Sequence, residues 1–237
     1  MRYLPLILLA ALPTIGLAQT APPAAPAASS AIPAPDPAWK VPEVIAFIGV
    51  KPGDRVADVI GGRLTASLAR AVGPTGKVYA IETAEIAKTH PDGVTKMRAL
   101  AAAMPNIVVS ADPIASPLPA KLDAVFIRQN YHDLYDKFMG PADVPAFNRA
   151  VYAALKPGGV FVVLDHEATP GSGIGATETL HRIDKDRVKA DMKAAGFRFD
   201  GESAILANPA DDHSKGVFDP SVRGHTDQFL LRFRKPR

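Results

Sequence analysis

Between Arg55 and Glu82 the chain runs RVADVIGG, RLTASLARAVGPTGK, VYAIE, and no other stretch narrows the choice of fold so far. Val56 and Val59 fit a buried strand, Leu64, Leu68 and Val72 recur at fourfold spacing, and Gly73-Pro74 stops that helix. A second apolar strand follows and ends on Glu82. Strand, glycine turn, helix, strand is a βαβ unit. Glycines in its first turn let backbone N–H groups approach a ligand closely. An acidic residue at the tip of the second strand is placed to accept hydrogen bonds from two ribose hydroxyls. Gly61, Gly62 and Glu82 therefore predict a pocket for a nucleoside-containing ligand.

The same alternation continues to the end of the chain. Val41, Val44, Ile45 and Ile48 mark a helix entered at Pro42, and Ala84 to Met104 reads as helical with a break near Pro91-Asp92-Gly93. Ile107-Val108-Val109 is a third strand and Leu122 to Ile127 a fourth, followed by the polar run Gln129 to Asp133. A helix from Pro145 to Leu155, capped by Asp143, stops at Lys156-Pro157-Gly158-Gly159. Val160 to Leu164 forms a fifth strand ahead of Asp165-His166-Glu167, and Asp184 caps a helix closed by Gly196. Phe197 to Leu206 and Thr226 to Phe233 complete the set. The predicted architecture is α/β: a Rossmann-like, mostly parallel sheet with helices on both faces and an antiparallel addition at one edge. Ligands in such sheets bind beyond the carboxyl ends of the strands, where the unusual polar residues of this chain collect.

The N-terminus belongs to a different class. Met1-Arg2 precedes an uncharged, mostly apolar run from Leu4 to Leu17, and Gly16-Leu17-Ala18 supplies small residues for a signal peptidase, predicting a signal peptide over 1–18. The run is shorter than the roughly 20 residues a bilayer span needs and contains Pro13, which favours cleavage over a retained anchor and leaves no stable membrane span afterwards. Residues 19–38 are rich in Ala and Pro and predict an extended linker, with the folded domain over 39–237. The expected location is periplasmic or secreted. With no cysteine there is neither a lipidation site nor a disulfide framework. A formal charge of +3 without an aromatic-studded basic stripe excludes a nucleic-acid partner.

Leu155 to Gly159 (LKPGG), Val50 to Val59 (VKPGDRVADV), Ala71 to Glu82 (AVGPTGKVYAIE) and a third strand running out at Asp112 together resemble the class I S-adenosylmethionine-dependent methyltransferases. Asn130 to Asp133, Asp165-His166 and the segments around Asn208 to Asp212, Phe218 to Pro220 and Thr226 to Phe229 are similar to its exported branch. The resemblance implies a seven-stranded sheet with the last strand antiparallel. It also implies S-adenosyl-L-methionine as cofactor, with Asp58, Gly61 and Gly62 on its methionine and ribose side, Glu82 on the ribose diol and Asp112 on the adenine amino group. The family's first turn carries more glycines than this one: Ile60 and Leu64 stand where two of them would be.

Methyl transfer asks the protein to align an acceptor with an already activated methyl group and, where required, to remove a proton. His132, just beyond the fourth strand, is the expected base, and Tyr131 or Asn130 would orient the acceptor or the amino-acid end of the cofactor. Asp165 and His166 form a second expected acid/base pair, with Asp165 orienting His166. An alternative is a divalent metal held by Asp133, Asp165, His166 and His132. Pro170 to Gly175 reads as a flap rather than a phosphate loop, His181 and Arg182 face either the pocket or solvent, and His90 and His225 read as loop histidines. Two functions follow: a methyltransferase acting on a small molecule or envelope component, or a repurposed relative whose altered glycine loop binds something else.

Overall fold

A computed structural model describes residues 35–140 and 142–237; the expected signal peptide and nearly all of the linker lie outside the described residues. The described chain opens with a 3-10 turn, Pro37–Trp39, whose Ala38 N–H donates to the Asp36 carboxylate at 2.9 Å. The elements that follow are α1 (Val41–Ile48), β1 (Arg55–Val59), α2 (Thr65–Val72), β2 (Lys77–Ile81), α3 (Ala84–Thr89), α4 (Asp92–Ala103), β3 (Ile107–Ser110) and β4 (Leu122–Arg128). The second half holds α5 (Val144–Ala154), β5 (Leu155–His166), α6 (Thr177–Leu180), α7 (Lys185–Ala194), β6 (Arg198–Ser203) and β7 (Gln228–Arg234).

All seven strands form one sheet in the order β3-β2-β1-β4-β5-β7-β6. Pairing is parallel from β3 through β5, and β7 is antiparallel to both β5 and β6. The chain winds outward from β1 to β3 and then returns to lay β4 on the other side of β1. That reversal opens a crevice beyond the carboxyl ends of β1 and β4.

Period-two alternation builds the two faces. Ala57, Val59, Val125, Ile127, Phe161 and Val163 point to the side covered by α5 and α7. Val56, Val78, Ala80, Phe126, Val160 and Val162 point to the side covered by α1, α2 and α4. Helix starts follow the expected chemistry: Thr83, Asp143 and Asp184 accept backbone N–H groups in the first turns of α3, α5 and α7.

The expected antiparallel addition lies at one edge as the final pair of strands: β7 is inserted between β5 and β6, and β6 is the edge. Phe229, Leu231 and Phe233 reach the core only from that inner position, while Arg232 and Arg234 reach Asp200 of β6 at 2.7 and 2.6 Å. Lys156 to Gly159 is not a stop between helix and strand but the first part of β5. Backbone partners on β7's extension recruit it: Gly158 N–H donates to Lys235 O and Lys235 N–H to Gly159 O, both at 2.9 Å.

Candidate functional site

A cavity of about 970 Å³ occupies the crevice at the carboxyl ends of β1, β2 and β4. Its floor is the turn after β1. Asp58 is buried, and its carboxylate accepts from the Thr65 hydroxyl at 2.5 Å, while Thr65 Oγ1 accepts from Gly62 N–H at 2.9 Å. The strand tip is thereby tied to the first residue of α2, and the turn is held flat. At Gly61 a Cβ would meet Thr65 Oγ1 at 3.3 Å and the Asp58 carbonyl at 3.4 Å, so a side chain there would press on the Thr65 hydroxyl that holds the turn. Ile60 lies in the left-handed region at φ 52, a conformation that a β-branched residue rarely adopts. It occupies a glycine's backbone geometry while its side chain lines the cavity, as does that of Leu64.

Glu82, directly after β2, is 4% exposed and lines the opposite wall of this floor. No hydrogen bond to its carboxylate occurs among the described residues. Burial, and then the neighbouring Asp58 charge, push its pKa up to about 7. Burial likewise raises Asp58 to about 6 against the opposing Thr65 hydrogen bond. Gly93 of α4 lies against Glu82: a Cβ there would touch Oε2 at 3.4 Å, an ordinary contact distance. His90, expected to be an ordinary loop residue, also lines this part of the cavity. Asp112, expected at the adenine, is exposed and outside the cavity lining; its contribution is a carbonyl that accepts from Ala84 N–H at 3.1 Å and starts α3.

The other end of the cavity gathers Asn130, His132, Asp133, His166, His181 and Phe218. Asp165, fully buried at the end of β5, grips the His132 ring, and from His166 it accepts the backbone N–H at 2.8 Å rather than a ring nitrogen. Its carboxylate accepts the His132 backbone N–H at 2.9 Å and lies 2.8 Å from Nδ1. Nε2 of the same ring is 3.1 Å from Asp133 Oδ1. Burial opposes a charge on His132, but the two carboxylates outweigh it and push the pKa up to about 10. With no cation in the cluster, the two carboxylates favour the doubly protonated ring over the neutral base expected at this position.

His166 behaves in the opposite way. Its Nδ1 is 2.7 Å from Thr226 Oγ1, and burial brings its pKa down to about 3, so it stays neutral with Nε2 left for the cavity. Asn130 donates to Asp133 Oδ2 at 2.6 Å. Tyr131 turns away: its hydroxyl lies in the α5–α7 layer, accepting from Asn148 Nδ2 at 2.8 Å. Of the four donors expected to converge on a metal, His132 and Asp133 do meet. Asp165 and His166 are committed elsewhere, and Asp136 and His181 come in instead.

Two further groups shape the cavity: Arg128, which had little signal in the sequence, and the segment around Asn208 to Asp212, which the sequence had already singled out. Arg128, at the tip of β4, lines the cavity with no hydrogen bond among the described residues and lies over the Trp39 ring at 5.4 Å, with Arg63 over the same ring at 4.8 Å. A charged residue closing an apolar strand was the available clue. The rim insertion between β6 and β7 is anchored from below. Fully buried Arg182 points one nitrogen, Nη2, at both Asp211 oxygens, at 2.8 and 3.1 Å, and donates through Nε and Nη1 to the carbonyls of Lys215 and Glu167 at 2.8 and 2.9 Å. Asp227 then holds Asn208 N–H at 2.7 Å and His213 Nε2 at 3.0 Å. The insertion delivers Val217 and Phe218 to the cavity, where Phe218 meets the His181 ring edge-on at 5.0 Å.

Strand order and crevice together define the Rossmann-like methyltransferase fold, and solved structures share it. A SAM-dependent methyltransferase from Aquifex aeolicus superposes with a TM-score of 0.55 at 19% identity, over 82% of this chain and 88% of that one. The cyclase SpnF gives 0.61 at 16% identity, over 84% and 81%. A protein from Bordetella parapertussis described as a possible exported protein gives 0.52 at 16% identity, over 85% and 67%. No protein-family model matches the chain, and no curated protein matches it in sequence. Among the described residues no helix is long and apolar enough to cross a membrane.

Proposed function

We propose that this protein is an exported S-adenosylmethionine-dependent methyltransferase acting on a small molecule or envelope component. The observation that carries the reading is Glu82, a largely buried residue whose carboxylate has no hydrogen-bond partner among the described residues and lines a cavity whose floor is Gly61–Gly62. A carboxylate held at a cavity wall with no protein donor is free to accept from a ligand, and a ribose diol supplies two donors. The residues present fit the cofactor in kind: Asp58, Gly61, Gly62 and Glu82 along its ribose side, Asn130 and Arg128 for the polar amino-acid end. When bound, S-adenosylmethionine supplies an electrophilic methyl group. The chain's own part is to seat the acceptor between Phe218 and the three histidines, with the neutral His166 Nε2 placed to accept a hydrogen bond from the acceptor and so orient it. Calorimetry on the purified protein tests this. Binding of S-adenosylmethionine or its demethylated product with micromolar affinity, weakened by Glu82→Ala, supports the reading; no heat at millimolar ligand sinks it.

Ile60 favours a second reading, a repurposed ligand-binding relative. Its side chain projects where a glycine would leave room, and a neighbour of the same fold is described as a cyclase rather than a methyltransferase. Under that reading the cavity binds a ligand other than S-adenosylmethionine, and the same calorimetry gives no heat.

A further inference from the structure

We infer that His132, Asp133, Asp136 and His181 form a binding site for one divalent transition-metal ion at the end of the cavity opposite Glu82. The sequence places three of these residues in the turn after β4 and the fourth just after α6. The fold brings one ligand atom from each within 4.8 Å of all the others. His132 Nε2 and Asp133 Oδ1 are 3.1 Å apart, and His181 Nδ1 is 3.8 Å from the same oxygen. A four-coordinate ion holds its nitrogen and oxygen ligands about 2.0–2.2 Å away, hence about 3.3 Å from one another. Small side-chain rotations therefore close the set.

Asp136 is the observation that points to a cation. It is 1% exposed, and among the described residues neither carboxylate oxygen has a hydrogen-bond partner of good geometry. The Thr177 hydroxyl beside it is directed at the Ile174 carbonyl, 3.2 Å away. Buried polar groups are almost always partnered, and an orphaned carboxylate among imidazoles is most simply satisfied by an ion. The surrounding contacts prepare the other ligands in the manner usual at metal sites. Asp165 engages His132 through Nδ1 and leaves Nε2 for the ion, and Asn130 occupies Asp133 Oδ2 while Oδ1 faces the cluster. Phe218 packs on the His181 ring and holds it over the turn. Two imidazoles with two carboxylates suit Zn²⁺, Co²⁺ or Mn²⁺ rather than the all-oxygen sites that Mg²⁺ and Ca²⁺ prefer. The site does not depend on the methyl-transfer reading, because its test reads the metal itself.

The full-length purified protein, stripped with a chelator and dialysed, is titrated with Zn²⁺ by calorimetry and with Co²⁺ by visible absorption. One equivalent of Zn²⁺ with micromolar or tighter affinity is expected, and Co²⁺ should develop the visible bands of a low-coordinate nitrogen–oxygen site. Asp165→Asn, which weakens the hold on His132 Nδ1 without removing any of the four ligands, should weaken Zn²⁺ by about 10–100-fold. His181→Ala and Asp136→Asn should weaken it by at least as much. His181 is partly exposed, so its variant remains informative if Asp136→Asn does not fold. Absence of Zn²⁺ heat and Co²⁺ colour in the folded protein overturns the inference, as does binding that His181→Ala leaves unchanged. The same cluster would then be a plain imidazolium held between Asp133 and Asp165.

Discussion

Arg182 and Asp211 meet face to face with neither exposed, two guanidinium–carboxylate contacts of 2.8 and 3.1 Å joining the turn before α7 to the insertion that carries Phe218. The pair sits outside the cavity, yet it decides where one wall of the cavity stands. Removing one member of a buried pair strands the other charge, and the cost is typically about 3–5 kcal/mol. Arg182→Ala should therefore lower the unfolding free energy by about that amount in a urea titration. Arg182 also serves the carbonyls of Glu167 and Lys215, so the double variant Arg182→Met, Asp211→Asn should recover only part of the loss.

Glu82 should make ligand binding pH-dependent. A carboxylate accepts from a diol in its charged form, and burial places its pKa near 7. Affinity for S-adenosylmethionine should rise as pH increases through about 7 and level off above it. In Glu82→Gln the affinity should be weaker and flat across the same range. Calorimetry at several pH values decides it; an equally steep rise in the Gln variant would remove Glu82 from the site.

The same two acids set a pH trend in stability with the opposite sign. Asp58 and Glu82 have folded pKa values of about 6 and 7 against ordinary values of 3.8 and 4.5. Between those limits the folded state binds more protons than the unfolded one, so stability falls as pH rises. Their contribution is fully present below about pH 4 and lost as pH passes through about 7. Melting curves of the wild type and Glu82→Gln should diverge progressively across that window, the variant showing the shallower decline.

Ile60→Gly should separate backbone strain from cavity shape. A non-glycine residue in the left-handed region carries about 1–2 kcal/mol of strain, and loss of a half-buried Ile side chain costs about as much. The melting temperature should hardly move, while affinity for the adenosyl ligand should rise because the turn opens. Unchanged affinity would show that the Ile60 side chain does not limit the cavity.

Thr65→Val should loosen the same turn from below. The hydroxyl donates to Asp58 and accepts from Gly62 N–H, so its loss leaves a buried carboxylate without its donor. A cost of about 1–3 kcal/mol is expected in denaturant titrations, together with weaker ligand binding. Thr65→Ser should restore both.

Sequence alone was sufficient for the wound sheet, since period-two apolar runs, helical spacing, caps and glycine stops are local patterns that each element carries within itself. It was also sufficient to mark Glu82, Asp58, Gly61 and Gly62 as strand-tip residues, because the strand that ends beside each of them is visible in the chain. What depended on through-space packing was not legible. Lys156 to Gly159 reads as a turn until β7 offers it backbone partners, and Asp112 looks like a cavity residue until its strand is seen to leave it outside. Asp165 follows the fifth strand and His132 the fourth, and only the parallel pairing of β4 and β5 reveals that they grip each other while His166, one residue on, turns to Thr226. Asp136 and His181 are 45 positions apart in the numbering and become neighbours through the sheet's crossover. Local propensity writes the elements into the sequence; which side chains then face one another is set by how those elements pack, and that is where the chemistry of this cavity was decided.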